Sequence, residues 1–183
     1  MYAPVQDGVF LIPAVDMSRL DLQYYRQVAT LPKHVPNVPG TIVIDPDNRF
    51  LYLVGEGGGA IRYGIGVGRE GFSWSGMATV ARKVEWPTWT PPREMVDRDA
   101  KAAQFADGMP GGLDNPLGAR AMYLFQGKQD TLYRIHGTNE PSSIGGAVSS
   151  GCIRLLNQDI VDLYQRVPEG TEVLVLPSLV PSV

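Results

Sequence analysis

The chain is poor in the residues that most often carry chemistry. Its 183 residues include one cysteine and two histidines. A single thiol excludes an internal disulfide. One thiol and two imidazoles are also too few for a zinc site unless carboxylates complete it, so no metal is expected. Charge is modest: 16 basic and 19 acidic side chains leave a net −3, and the pI is near 5.3. Lys and Arg are scattered, without a run of like charges. That balance argues against a nucleic-acid partner held by phosphate attraction and marks no basic membrane patch. No apolar run approaches the roughly 18–20 residues needed to span a bilayer. The opening stretch, MYAPVQDGVFLIPAVDMSRL, has no basic region ahead of an apolar one, so as written it is not a signal peptide. Either the protein is not exported or the chain starts after a removed leader.

Glycine (21) and proline (15) are plentiful and recur at short intervals, which favours strands and turns over long helices. Residues 1–38 read as an N-terminal arm. Met17–Thr30 is predicted to hold a short helix, with apolar positions at Leu20, Leu22, Tyr24, Tyr25 and Val28, and Pro32, Pro36 and Pro39 then break it. From Thr41 the pattern becomes strands. TIVID and RFLYLVG flank Asp45-Pro46-Asp47-Asn48 and predict a β-hairpin. RYGIGVG, ATVARKVEW, RAMYLFQG, TLYRIHG and TEVLVLP add further short strands. Their spacing predicts a mainly β fold, a β-sandwich or small barrel with one or two short helices. Those helices are Pro92–Asp99 and Gln158–Val167, the second with Asn157 as its N-cap and Ile160, Leu163, Tyr164 and Val167 on one face. The principal domain then runs over 39–178, followed by a tail at 179–183.

The one cysteine lies in HGTNEPSSIGGAVSSGCIRLLN, sixteen positions after His136. A free thiol is only a few per cent thiolate at neutral pH, and an adjacent imidazole can take its proton. TLYRIHG reads as a strand ending at His136, and the loop that follows is long enough to fold back beside it. Ser149-Ser150-Gly151-Cys152 reads as a tight turn of small residues, able to aim several N–H groups at one point as an oxyanion hole requires. The nearest group to orient the imidazole is the backbone carbonyl of Gly137. A lone cysteine is more often a small core residue, but a serine–glycine turn is a poor place for a core side chain.

At these residues the chain resembles a known family. Arg134-Ile135-His136-Gly137-Thr138-Asn139-Glu140-Pro141, then Ser149-Ser150-Gly151-Cys152-Ile153-Arg154, resembles the signature of the L,D-transpeptidase catalytic domain (YkuD-like), whose members remodel bacterial peptidoglycan. WPTWTPPREM, PGGLDNPLGARAMYL and NQDIVDLYQRV are similar too, so the resemblance covers roughly residues 39–177, and none of it falls on the arm. It implies Cys152 as nucleophile, His136 as general base and acid, the Gly137 carbonyl as orienter, and the amides of Gly151 and Cys152 as oxyanion hole. Arg154, Ser149, Ser150 and Asn139 are candidate substrate contacts. Arg154 would reach a substrate carboxylate or brace the turn. Ser150 stands where the signature has a second histidine, which leaves His136 as the nearby imidazole. The implied reaction cleaves the bond between a diamino acid and D-Ala in a peptidoglycan tetrapeptide stem and passes the acyl group to an amine. That amine belongs to another stem or to a protein. The resemblance also implies carbapenems as covalent inhibitors, no cofactor, and a periplasmic or cell-envelope location. Water as acceptor would make an L,D-carboxypeptidase, and a non-catalytic wall-binding β-sandwich is the reading outside enzymes.

Two signals are discounted. Gly55-Glu56-Gly57-Gly58-Gly59-Ala60 precedes a predicted strand, whereas a dinucleotide loop must open a helix. His34, in a proline-rich stretch, reads as an exposed loop residue.

Overall fold

The computed structural model describes residues 1–68, 74–149 and 152–178, with only the backbone of 147–149. In chain order the strands before the first helix are β1 (Val5–Asp7), β2 (Phe10–Ile12), β3 (Gln27–Thr30), β4 (Ile42–Asp45), β5 (Phe50–Val54), β6 (Gly59–Gly64), β7 (Val67–Gly68) and β8 (Gly76–Glu85). Helices α1 (Arg93–Arg98) and α2 (Ala100–Ala103) follow. Then come β9 (Arg120–Gln126), β10 (Gln129–His136), β11 (Ala147–Ser149), β12 (Ile153–Arg154), α3 (Asn157–Arg166) and β13 (Glu172–Val175). The fold is mainly β, as the strand spacing predicts. A helix beyond the expected pair is the single turn α2, which restarts after Asp99 caps the Lys101 and Ala102 amides.

Nine strands form one mixed sheet in the order β12-β10-β9-β8-β13-β4-β5-β6-β3. The β10/β12 and β13/β4 pairs are parallel and the rest antiparallel. The sheet then curls back on itself. After β6 the Ile65 N–H donates to Arg49 O at 3.0 Å, and Gly66 exchanges two backbone hydrogen bonds with Arg154, at 2.9 and 3.0 Å. The bridge carries the chain from one end of the sheet to the other and encloses one core. Ile42, Ile44, Leu51, Val80, Met122, Leu124, Ile135 and Ile153 fill that core, with Ile160 and Leu163 of α3 against them. Each such side chain, fully buried, contributes on the order of 2 kcal/mol.

The α3 stripe is as the sequence predicts, but Asn157 is not its cap. Leu156 occupies that position without a side-chain cap bond, and Asn157 is the first helical residue. Its Oδ1 accepts from the Ala119 N–H at 2.9 Å, a partner 38 positions away.

The arm also departs from its predicted helix. Met17–Arg19 and Leu22–Tyr24 are separate 3-10 turns, each started by an aspartate, Asp16 or Asp21, that accepts a backbone N–H two residues on. Such local bonds compete with a continuous helix. Gln27–Thr30 is then drawn into β3, pairing antiparallel with β6 and covering an edge that would otherwise be open. Further along, the ring of Tyr24 lies where a Cβ on Gly145 (φ +82) would have to go. Ile144 joins Tyr2, Leu20 and Leu156 in a small apolar cluster. The arm therefore packs on the connection between His136 and Cys152. On another face, Asp7 accepts from both Arg120 guanidinium nitrogens (2.7 and 2.8 Å) and from Trp86 Nε1 (2.8 Å), while Phe10 packs on the Trp86 ring at 4.2 Å.

A third tie is polar and buried. Tyr2 donates to Asp159 Oδ2 (3.0 Å) and accepts from the Arg26 N–H (2.7 Å). Burial raises the Asp159 carboxyl from 3.8 to about 7, with nearby Asp162 adding to the rise and Arg26 and the Tyr2 hydrogen bond opposing it. A carboxyl raised in the folded state contributes stability that is complete below its unfolded value and is lost as pH climbs through its folded value. Wild-type Tm should therefore fall between about pH 4 and 8 relative to Asp159→Asn, which cannot ionise. Parallel melts of the two proteins across that range check this, and superimposable pH profiles would refute it.

Candidate active site

β10 and β12 pair Ile135 with Ile153 and His136 with Arg154. Both isoleucines are fully buried in the core. Because side chains alternate along a strand, His136 and Arg154 lie on the opposite face. Cys152 is the residue before β12, and its thiol lies near the Arg134 backbone and the Arg154 charge. The Leu155 N–H extends the ladder to His136 O at 2.9 Å. The strand that begins one residue after Cys152 thus pairs with the strand that ends at His136.

His136 is buried, at 3% exposure. Its Nδ1 lies 2.5 Å from Gly137 O. A carbonyl only accepts, so Nδ1 carries the proton and donates. In the neutral ring Nε2 is then left with a free lone pair. Burial, with the Arg154 charge adding, lowers the imidazole to about 4 against the pull of the Gly137 carbonyl. The ring is a neutral base at pH 7.

Cys152 is partly exposed. Desolvation dominates its thiol and pushes it above the ordinary 9.0. The Arg134 backbone N–H donated to the sulfur, and the positive charges of Arg134 and Arg154, pull the other way. Burial thus favours the protonated thiol and the neutral imidazole.

The remaining candidates divide. The Arg154 side chain is 16% exposed and meets the Glu140 carboxylate at 3.4 Å. Its Nε is buried and, among the described residues, has no partner. Asn139 is exposed and donates from Nδ2 to Asp114 O at 2.9 Å, joining two loops. Ser149 lies in β11, where only the backbone is described. Ser150 and Gly151 lie outside the described residues. His34 is half-exposed, and its ring pairs with buried Asp45 at 2.7 Å, away from the site. The Gly55–Ala60 stretch joins antiparallel β5 and β6 through a 3-10 turn, so no helix N-terminus meets it. Among the described residues no cluster of potential metal ligands occurs, and no helix is long and apolar enough to cross a membrane. Clefts of about 630 Å³ by Tyr2, Leu22 and Arg26 and about 530 Å³ by Val28 and Val167 lie elsewhere. Sequence reasoning missed Arg134, the pairing of Glu140 with Arg154 and the inward turn of Asn157. All three depend on contacts between segments distant in sequence.

The family model of the L,D-transpeptidase catalytic domain (YkuD) matches residues 39–175. The chain belongs to the L,D-transpeptidase family. "Probable L,D-transpeptidase ErfK/SrfK" of Escherichia coli strain K12 is 39% identical over 145 residues, which are 75% of this chain and 44% of that protein. The chain thus spans less than half the length of this curated relative. Among solved structures, a Brucella melitensis chain described as a probable carnitine operon oxidoreductase is 51% identical, with TM-score 0.58 over 88% of this chain and 99% of that one. An Enterococcus faecium L,D-transpeptidase, solved as a C442S mutant, shares the fold at 19% identity, with TM-score 0.56 over 76% of this L,D-transpeptidase family member and 50% of that chain.

A thiol held above the ordinary range sets a test of the site's electrostatics. The rate of Cys152 alkylation by iodoacetamide should be low at pH 7 and still be rising past pH 9. Intact-mass kinetics across pH 6–10 measure it, and a plateau reached below pH 8 would show a stabilised thiolate instead.

Proposed function

We propose that the chain is a cysteine-dependent L,D-transpeptidase acting on peptidoglycan tetrapeptide stems. What supports this reading is the β10/β12 register, in which His136 pairs with Arg154 two residues after Cys152, together with an imidazole whose Nδ1–H is committed to Gly137 O. Family membership supplies the substrate class.

As Cys152 Sγ attacks the carbonyl of the diamino acid, its proton passes to His136 Nε2. Because both partners rest uncharged, transfer accompanies attack. The tetrahedral oxyanion is held by the amides of Gly151 and Cys152. Collapse breaks the C–N bond, Nε2 returns the proton to the leaving D-Ala nitrogen, and a thioester remains. An acceptor amine then attacks the thioester, giving its proton to Nε2. The C–S bond breaks and sulfur regains the proton. Acceptance by another stem forms a cross-link between the diamino acids of two stems, and acceptance by a protein anchors that protein to the wall. Arg154, Ser149, Ser150 and Asn139 contact the donor stem. A substrate carboxylate would compete with Glu140 for the Arg154 guanidinium. The substrate places the reaction at the cell envelope, and a carbapenem would acylate the same sulfur.

Two measurements test the reading. Incubation with meropenem should give one stable adduct by intact mass, absent from Cys152→Ala. Digestion of sacculi after incubation with the protein should reveal new diaminopimelate-to-diaminopimelate dimers, and His136→Ala should lower their formation by about 10²–10⁴-fold. Loss of D-Ala without dimers would mean that water is the acceptor. An unmodified thiol together with unchanged muropeptides would end the proposal.

A further inference from the structure

The proposed base works only if the Gly137 carbonyl points at Nδ1. That carbonyl belongs to the peptide between Gly137 and Thr138, and its direction follows ψ of a glycine, the residue least able to fix its own backbone. Something else must hold it. On one side the Gly137 N–H donates to Arg120 O at 3.0 Å. On the other stands Asn157, only 8% exposed. Its Oδ1 is locked by the Ala119 N–H at 2.9 Å, and the Ala119 carbonyl accepts from the Trp86 N–H at 2.8 Å. A Cβ on either Gly118 or Gly137 would overlap this same oxygen. Gly118 also takes φ +63, a conformation that glycine adopts without penalty. A Cβ there would come 2.6 Å from the Gly137 carbonyl carbon and the Thr138 nitrogen. The side-chain amide is thus wedged between the turn entering β9 and the peptide leaving β10.

We propose that Asn157 is a positioning residue for His136: its side-chain oxygen, fixed by Ala119, holds the Gly137 peptide in the one orientation that receives the Nδ1 proton. The inference rests on the reading of His136 as the base. Without the wedge, Gly137 regains freedom in ψ and the ring can exchange its proton between nitrogens. A ring protonated at Nε2 cannot take a proton from sulfur. Asn157 touches neither substrate nor the reacting atoms. It acts from α3, five residues after the nucleophile, so the segment that carries the sulfur also sets the base.

The test uses the whole chain, with Asn157→Ala and Asn157→Asp compared with wild type. The aspartate keeps an acceptor oxygen for Ala119, and a negative charge is favoured in the first turn of a helix. Imidazole ¹⁵N spectra should show one Nδ1–H tautomer for His136 in wild type and Asn157→Asp, and an averaged pair of shifts in Asn157→Ala. On stem-peptide substrate, kcat should fall by about 10- to 100-fold in Asn157→Ala, the scale of a misplaced catalytic group. KM should stay within about twofold, and Asn157→Asp should restore most of the rate. Should the alanine variant fail to fold, Asn157→Ser, with a shorter side chain at the same point, takes its place. A single unchanged tautomer in the truncated variant overturns the proposal whatever its rate. The spectra need no substrate, so they report on Asn157 even if wild type proves inactive on stems, which would sink the transpeptidase reading alone.

Discussion

The pairing of Ile153–Arg154 with Ile135–His136 is parallel and two residues long. Parallel neighbours cannot be joined by a tight turn; they need a crossover of a dozen or more residues, usually a helix. Here the crossover is the stretch between His136 and Cys152, which holds one 3-10 turn and the short strand β11. So brief a ladder cannot hold its register alone. Gly66 pins it from the far side through two bonds to Arg154, and the buried isoleucines pin it from below. Placement of the reactive groups is therefore a property of the closed sheet, not of the motif by itself.

The N-terminal arm packs against the crossover. Tyr24 fills the space over Gly145, and Tyr2 and Leu20 receive Ile144. Asp7 meanwhile satisfies two nitrogens of Arg120, whose side chain is only 6% exposed. Removing one partner of such a pair leaves a buried charge that costs several kcal/mol. The arm is thus part of the structure that carries the site, although the family match begins at residue 39.

Local pattern was readable where local forces decide. The short apolar runs in TIVID and RFLYLVG, with Asp45-Pro46-Asp47-Asn48 between them, give the β4–β5 hairpin, and the stripe from Ile160 to Leu163 gives α3. That the chain after His136 returns beside β10 was readable from a strand end and a loop length. What escaped was decided at a distance. Gln27–Thr30 carries apolar residues compatible with a helix, and the open edge of β6 claims it as a strand. Asn157 carries the composition of a cap, yet its oxygen is taken by Ala119. The guanidinium of Arg154 finds Glu140, across the same crossover. In each case the sequence shows the group but not which remote segment will meet it.

Burial leaves the sulfur protonated at rest, and this bears on survival as well as on turnover. Peroxides and foreign disulfides consume thiolates, and a sulfur oxidised past the sulfenic stage is lost for good. A protein with one cysteine has no second thiol to rescue it by forming a bridge. A sulfur kept protonated by its surroundings presents less of the anion that oxidants consume and so outlasts a free surface thiol at the same pH.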